Sequence, residues 1–217
     1  MKHTLKIFIL FIGFVLYFNV NSFANIDIAI YGGYLLSEDL AAGELSVRDK
    51  EEYPNGQLGA KAHYNIQLSP SMDLGLGAFL QACLRNTYYY DGNNSRLEVD
   101  TARLSFGLDV NLIFSVPSMP AVYPYVRGTY PFFNEIYVYG GGGDRQNVNG
   151  KGWGIGGGIE YSISPNVGLF AELMYEKSSY DCEYTYWDNY YYDYKLASTT
   201  IDLTEISVNV GIKYLIF

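Results

Sequence analysis

From Gly158 to Tyr175 the chain reads "GIEYSISPNVGLFAELMY", with apolar residues on every second position either side of Ser164-Pro165-Asn166. Successive strand side chains point to opposite faces, so this spacing predicts two strands, each apolar on one face, joined by a tight turn. Trp153, Ile155, Ile159, Tyr161 and Ile163 make up the first apolar face, and Val167, Leu169, Ala171, Leu173 and Tyr175 the second. A helix would need apolar residues three and four apart, and the segment has no such run.

The same period returns along the chain. Leu58, Ala60, Ala62, Tyr64, Ile66 and Leu68 alternate with Lys61, His63, Asn65 and Gln67. After Ser69-Pro70-Ser71, Leu74, Leu76, Ala78, Leu80, Ala82 and Leu84 alternate with Asp73, Gly75, Gly77, Gln81 and Arg85. Leu104 to Leu112 faces away from Arg103, Ser105, Gly107, Asp109 and Asn111, and Ile206 to Ile216 faces away from Glu205, Ser207, Asn209, Gly211 and Lys213. Ile26 to Leu36 alternates in part, and Tyr123 to Phe132 holds Pro124 and Pro131, which cannot donate to a ladder. These segments predict eight strands. Short connections (69–71, 115–122, 164–166) alternate with long polar ones (37–56, 86–100, 133–151, 177–200), which in an antiparallel meander puts the short turns at one end and the long loops at the other.

Periodicity does not say which face meets water; charge density does. Charged residues are 17% of the chain, against about 25% in an ordinary domain, while aromatics are also 17%, with 23 Tyr and 23 Gly. The polar faces are mostly Gly, Ser, Asn and Gln, and the apolar faces run uncharged over the roughly 9 to 11 residues of a tilted transmembrane strand. Tyr64, Phe114, Tyr161 and Tyr214 fall near the short-turn end of these faces and Tyr34, Tyr130, Trp153 and Tyr175 near the other, as aromatic girdles do at two bilayer interfaces. Lipid requires every backbone group to be paired within the protein, so the sheet must close. The expected fold is all-β: an eight-stranded antiparallel up-and-down transmembrane β-barrel with short periplasmic turns and long extracellular loops.

Ahead of the barrel, Lys2 and Lys6 precede an apolar run from Ile7 to Phe18, and Ser22-Phe23-Ala24 offers small residues for cleavage. Residues 1–24 read as a secretory signal peptide and 25–217 as the barrel domain. The formal charge of −9 argues against nucleic acid as a partner. Cys83 and Cys182 are the only cysteines, too few for a disulfide framework, and could bridge if the last long loop folds inward.

With these features in place, the chain resembles the small outer-membrane β-barrel proteins of the OmpA, OmpX and OmpW type. The resemblance rests on inward Glu160 before outward Tyr161, the Pro165-Asn166 turn and the Ala171-Glu172 pair, and on the end "VGIKYLIF", similar to the terminal strand read by the outer-membrane barrel assembly machinery. The terminal aromatic, Phe217, falls on the inward parity. The resemblance implies an outer-membrane location, with lipid and lipopolysaccharide as surroundings, and specifies architecture rather than activity.

Sites for chemistry are few. His63 is the one histidine after residue 24, and parity places it in the lumen near the short-turn end, away from an outer mouth. Gly152, Gly154 and Gly157 have the spacing of a dinucleotide fingerprint but lie within a strand with no helix after it; Gly152, Gly154, Gly156 and Gly158 instead make room on the inward face. "YGGGGDRQN" occurs once, whereas calcium nonapeptides stack as repeats, and Asp181, Glu183, Asp188 and Asp193 lack a metal-binding spacing. No cofactor is expected. Lys61, Arg85, Arg103, Arg127 and Lys213 share the lumen parity with Asp73, Asp109, Glu160, Glu172 and Glu205. An eight-stranded lumen is just wide enough for side chains, so these charges should pair into a plug, the alternative being a narrow water-filled path.

The long loops carry Tyr88, Tyr89, Tyr90, Tyr184, Tyr186, Trp187, Tyr190, Tyr191 and Tyr192. Tyrosine supplies stiff amphipathic contact area, which suits recognition of a host or surface ligand, and equally suits packing within the loops and on lipid headgroups. The expectation is a monomeric, non-enzymatic surface protein or adhesin, with a small passive pore as the alternative.

Overall fold

The computed structural model describes residues 25–42, 56–84, 86–90, 96–139, 145–188 and 193–216. The proposed signal segment, Arg85, Tyr190 to Tyr192 and Phe217 lie outside the described residues. The elements are β1 (Asn25–Ala42), β2 (Gly56–Ser69), β3 (Met72–Leu84), β4 (Asn86–Tyr90), β5 (Arg96–Phe114), β6 (Val122–Tyr139), β7 (Arg145–Ser164), β8 (Val167–Asp188) and β9 (Asp193–Ile216). Every neighbouring pair is antiparallel, in the order β3-β2-β1-β9-β8-β7-β6-β5-β4. β3 also pairs with β5, from Met72↔Phe114 to Cys83↔Arg103. That pairing closes the ring. β4 continues the line of β3 along β5, so the wall is eight strands around.

The start of β1 and the end of β9 meet at the short-turn end, where Ile26 pairs with Ile216. The turn between β7 and β8 is tied to this seam: Leu215 N donates to Asn166 O (2.8 Å), and Asn166 Nδ2 donates to Leu215 O (3.1 Å). The sequence Pro165-Asn166 thus serves both as a turn and as a clamp on the last strand.

Side-chain parity follows the sequence reading closely. On β9 the even positions Ile206, Val208, Val210, Ile212, Tyr214 and Ile216 point outward, while Glu205, Ser207, Asn209 and Lys213 are buried inside. Val210 keeps 59% of its surface exposed and Asn209 beside it 1%. Such a wholly apolar exterior is stable only against hydrocarbon. On β8 the outward apolar face runs from Val167 to Tyr175, which at about 3.3 Å per residue and a tilt of about 40° rises roughly 23 Å, close to the apolar band of a membrane barrel. Trp153 and Tyr175 cap it in ring contact at 5.6 Å between centroids.

Above Tyr175 the phase of the alternation reverses. Lys177, Asp181 and Glu183 are exposed and Tyr180 is fully buried; on β9, Asp202 is exposed while Ile201 and Leu203 are buried. The wall therefore leaves lipid between Tyr175 and Lys177 and continues as a sheet with an apolar interior built from Tyr180, Ile136, Val148, Ile201 and Leu203. Where they are described, the segments expected as long polar loops are paired strand: β8 and β9 stay in register to Asp188↔Asp193, and β6 and β7 to Tyr139↔Arg145. Polar residues there face water outside a sheet, and for that reason they read as loop.

The register shifts at several places, among them Leu35/Ser37 between β1 and β9 and Thr129/Glu135 between β6 and β7. Between β5 and β6 the register slips from Phe106↔Phe133 to Gly107↔Pro131, so Phe132 is an extra residue of β6. Proline lacks the ladder donor, and a bulge accommodates it.

The belt's position generates a test. Val210→Arg should cost about 2–4 kcal/mol in urea unfolding from lipid vesicles, as for an arginine near the bilayer midplane, whereas Asp202→Arg should change stability by less than about 0.5 kcal/mol, as at an ordinary wet surface. Equal costs would misplace the boundary.

Candidate functional site: the lumen network

Because the exterior of the belt is apolar, the buried charges of the lipid-facing part of the strands are carried inward. Among the described residues the buried charged groups are the cations Lys61, Arg103, Arg127 and Lys213 and the carboxylates Asp27, Asp109, Glu160, Glu172, Glu176 and Glu205. They sort into three connected tiers.

Glu172, on β8, is the hub of the middle tier. Its Oε1 accepts from Arg127 Nη1 (2.5 Å) and Asn209 Nδ2 (3.1 Å); its Oε2 accepts from Lys61 Nζ (2.9 Å) and Tyr125 Oη (2.8 Å). Arg127 grips Asp109 from its other side, with Nε 3.1 Å from Oδ1 and Nη2 2.6 Å from Oδ2. Planar guanidinium matches carboxylate geometry in this way, and the pair is fully dehydrated, Arg127 at 1% and Asp109 at 0% exposure. Lys61 Nζ also lies 4.2 Å from the Phe170 ring centre, so its charge meets both a carboxylate and an aromatic face.

Toward the short turns, His63 Nδ1–H donates to Asp27 Oδ1 (2.9 Å), and its Nε2 lies 3.2 Å from Asn111 Nδ2 and 3.4 Å from Asp109 Oδ1. Asn65 Nδ2 donates to Asp27 Oδ2 (2.8 Å). Lys213 pairs with Glu160 and stands 3.7 Å from Asp27. His63 is thus packed in the lumen near the turn end, with two carboxylates for neighbours. Toward the outer end, Arg103 pairs with Glu205 and donates through Nη2 to Glu176 Oε2 (2.9 Å). Gln81 joins Glu176, Gln57 and Tyr31, donating to the first two and accepting from Tyr31 Oη, each at 3.0 Å. Ser105, Asn134 and Ser178 extend the chain of bonds upward at 2.7 and 2.9 Å. Above them Tyr180 stands outside the bilayer, and burial pushes its hydroxyl up to about 12.

The strand glycines make this packing possible. A Cβ at Gly154 would collide with Thr129 and one at Gly156 with Met174, so the inward glycines of β7 are the space that lumen side chains occupy. Toward the short turns, Asp27, His63, Glu160 and Lys213 bound a cavity of about 10 Å³, room for about one water molecule.

Lys61, Arg103, Asp109, Arg127, Glu160, Glu172, Glu205 and Lys213 are all buried in this network. Gln81, Asn111 and Asn209, which parity puts on the polar faces, are bonded into it, and Asp27, Glu176 and Gln57 join it without having been singled out from the sequence. Cys83 is a free, buried thiol donating to Gln57 Oε1 (3.4 Å). Cys182 lies in β8 paired with Thr199, on a strand rather than an inward-folding loop, and its side chain is outside the described residues. Tyr88 to Tyr90 fall on β4 and Tyr184, Tyr186 and Trp187 on β8; their side chains are likewise not described. Asp181 Oδ1 accepts from Thr200 Oγ1 at 2.9 Å.

A closed antiparallel ring with an apolar exterior and a dehydrated ionic interior defines a transmembrane β-barrel. Among solved structures, the chain is similar to the outer membrane protease OmpT of Escherichia coli, at 9% identity and a TM-score of 0.52 over 89% of this chain and 96% of that one. It is also similar to Neisserial surface protein A (16% identity, TM-score 0.47, 89% and 97% covered) and to the outer membrane protein OprG of Pseudomonas aeruginosa (12%, 0.47, 89% and 95%). At these identities the likeness is one of fold. No protein-family description matches the chain, and no curated protein does.

Removing one member of a buried ionic network strands its partners, whereas removing the set does not. Arg127→Met should therefore lose roughly 3–5 kcal/mol of unfolding free energy in vesicles, and adding Asp109→Asn and Glu172→Gln should recover part of it. If Arg127→Met is nearly neutral, the network does not hold the lumen.

Proposed function

We propose that this protein is a non-enzymatic, monomeric barrel of the bacterial outer membrane, held shut by its lumen network, that presents its long hairpins outside as a structural surface protein or adhesin. The observation that carries the reading is the packed lumen: three tiers of paired, buried charge cross it, and the cavity among Asp27, His63, Glu160 and Lys213 measures only about 10 Å³, which supports a plug over a water-filled path. A barrel that neither conducts nor exposes its buried histidine to a substrate has its outer end left for function. Residues 1–24 would direct export, the end "VGIKYLIF" would be read by the barrel assembly machinery, and lipopolysaccharide would surround the outer girdle of Tyr130, Trp153 and Tyr175. The outer hairpins add Tyr-rich, acidic sequence, large contact area at low entropic cost, suited to a host or surface ligand.

The test is adhesion of bacteria displaying the protein to cultured host cells. Changing Tyr190, Tyr191 and Tyr192 together to Ser should remove the adhesion that the wild-type protein confers, while the folded band's shift on boiling stays the same for both. Unchanged adhesion would refute recognition through this hairpin.

A further inference from the structure

The seam between β7 and β8 stops short of the top of the barrel. The two strands pair as far as Gly150↔Tyr180. Above that rung β7 follows β6 alone, from Glu135↔Asn149 to Tyr139↔Arg145, and β8 follows β9 alone, from Asp181↔Thr200 to Asp188↔Asp193. Among the described residues, Asp181–Asp188 therefore has one paired edge and one open edge. Tyr180, wholly buried and laid against Gly150, stands at the foot of the gap.

We propose that this open edge of β8 is a docking site for an extended basic peptide, which pairs with it as an added strand. The inference rests on the reading above that this end of the barrel faces the exterior. Its first support is the edge itself. Sheets blunt exposed edges with proline, charged side chains or bulges; "DCEYTYWD" has no proline, its register with β9 is unbroken, Tyr, Thr and Trp favour strand, and its charges are all acidic, so they block like edges and leave a cationic strand free to pair. Its second is that a two-stranded ribbon is marginal alone and gains stability from a third strand. Its third is charge: Asp181 and Glu183 are exposed, and the ribbon adds Asp188, Asp193 and Asp202 against Lys177 and Lys195. Main-chain bonds would supply affinity and these carboxylates the preference for a cationic strand. The same acidity opposes pairing of two copies edge to edge.

The test uses the whole protein purified from membranes into phosphocholine nanodiscs, titrated with an alternating Lys-Thr decapeptide and its Glu-Thr counterpart, with amide hydrogen exchange as the readout. The Lys-Thr peptide should slow exchange across Asp181–Asp188, and the Glu-Thr peptide should bind at least about tenfold more weakly. Asp181→Asn with Glu183→Gln should weaken Lys-Thr binding about three- to tenfold. No protection by the Lys-Thr peptide, protection elsewhere, equal binding of both peptides, or protection that grows with protein concentration alone would each overturn the proposal. The two readings separate cleanly: peptide protection with unchanged cell adhesion sinks the adhesin reading, and Tyr-dependent adhesion without peptide protection sinks strand addition.

Discussion

Hydrocarbon offers no hydrogen bonds, so a chain that crosses it must pair all of its own N–H and C=O groups. For a chain of strands this leaves ring closure, and the pairing of β3 with β5 at one end of the order and of β1 with β9 inside it supplies that closure. Once the ring is closed, period-two geometry divides the residues into an exterior and an interior with no third option. The solvent then decides which set goes where. Ile, Leu and Val meet lipid; Asn, Gln and the charges are enclosed.

Enclosure has its own requirement. A carboxylate removed from water is costly unless compensated, and the barrel is too narrow to hydrate its interior. Glu172 answers this with four donors drawn from β2, β6 and β9, so the hub stitches strands that are not neighbours in the sheet. Backbone pairing fixes the wall, and this cross-lumen bonding fixes what fills it. Above the bilayer the requirement disappears, and the interior turns apolar at Leu203, Ile201 and Tyr180 as in an ordinary soluble sheet.

Much of this was legible in the sequence because a rule with period two needs no knowledge of partners. Parity alone put Lys61, Arg127, Asp109 and Glu172 on one interior surface. It did not tell which of them would touch, since that depends on the stagger of the whole ring. Asp27 escaped notice because inward Ala29, Tyr31 and Leu35 blur the alternation of β1, and Glu176 because the apolar face of β8 ends just before it. The outer strands were read as loops for a related reason. Alternation persists beyond Lys177 and Thr204, but its phase flips where lipid gives way to water, and a reading tuned to one phase sees only polar residues. The flip itself, between Leu203 and Ile206 on β9, was the available signal.

That inversion is the central claim, and a spin-label scan along β9 tests it directly. In a background with Cys83 and Cys182 changed to Ser, labels at Ile206, Val208, Val210 and Ile212 should be relaxed by oxygen dissolved in lipid and not by a water-soluble nickel chelate. Labels at Ser207 and Asn209 should be shielded from both, and one at Asp202 should respond to nickel. Strong nickel relaxation at Val208 and Val210, placing those side chains in water, would contradict the account.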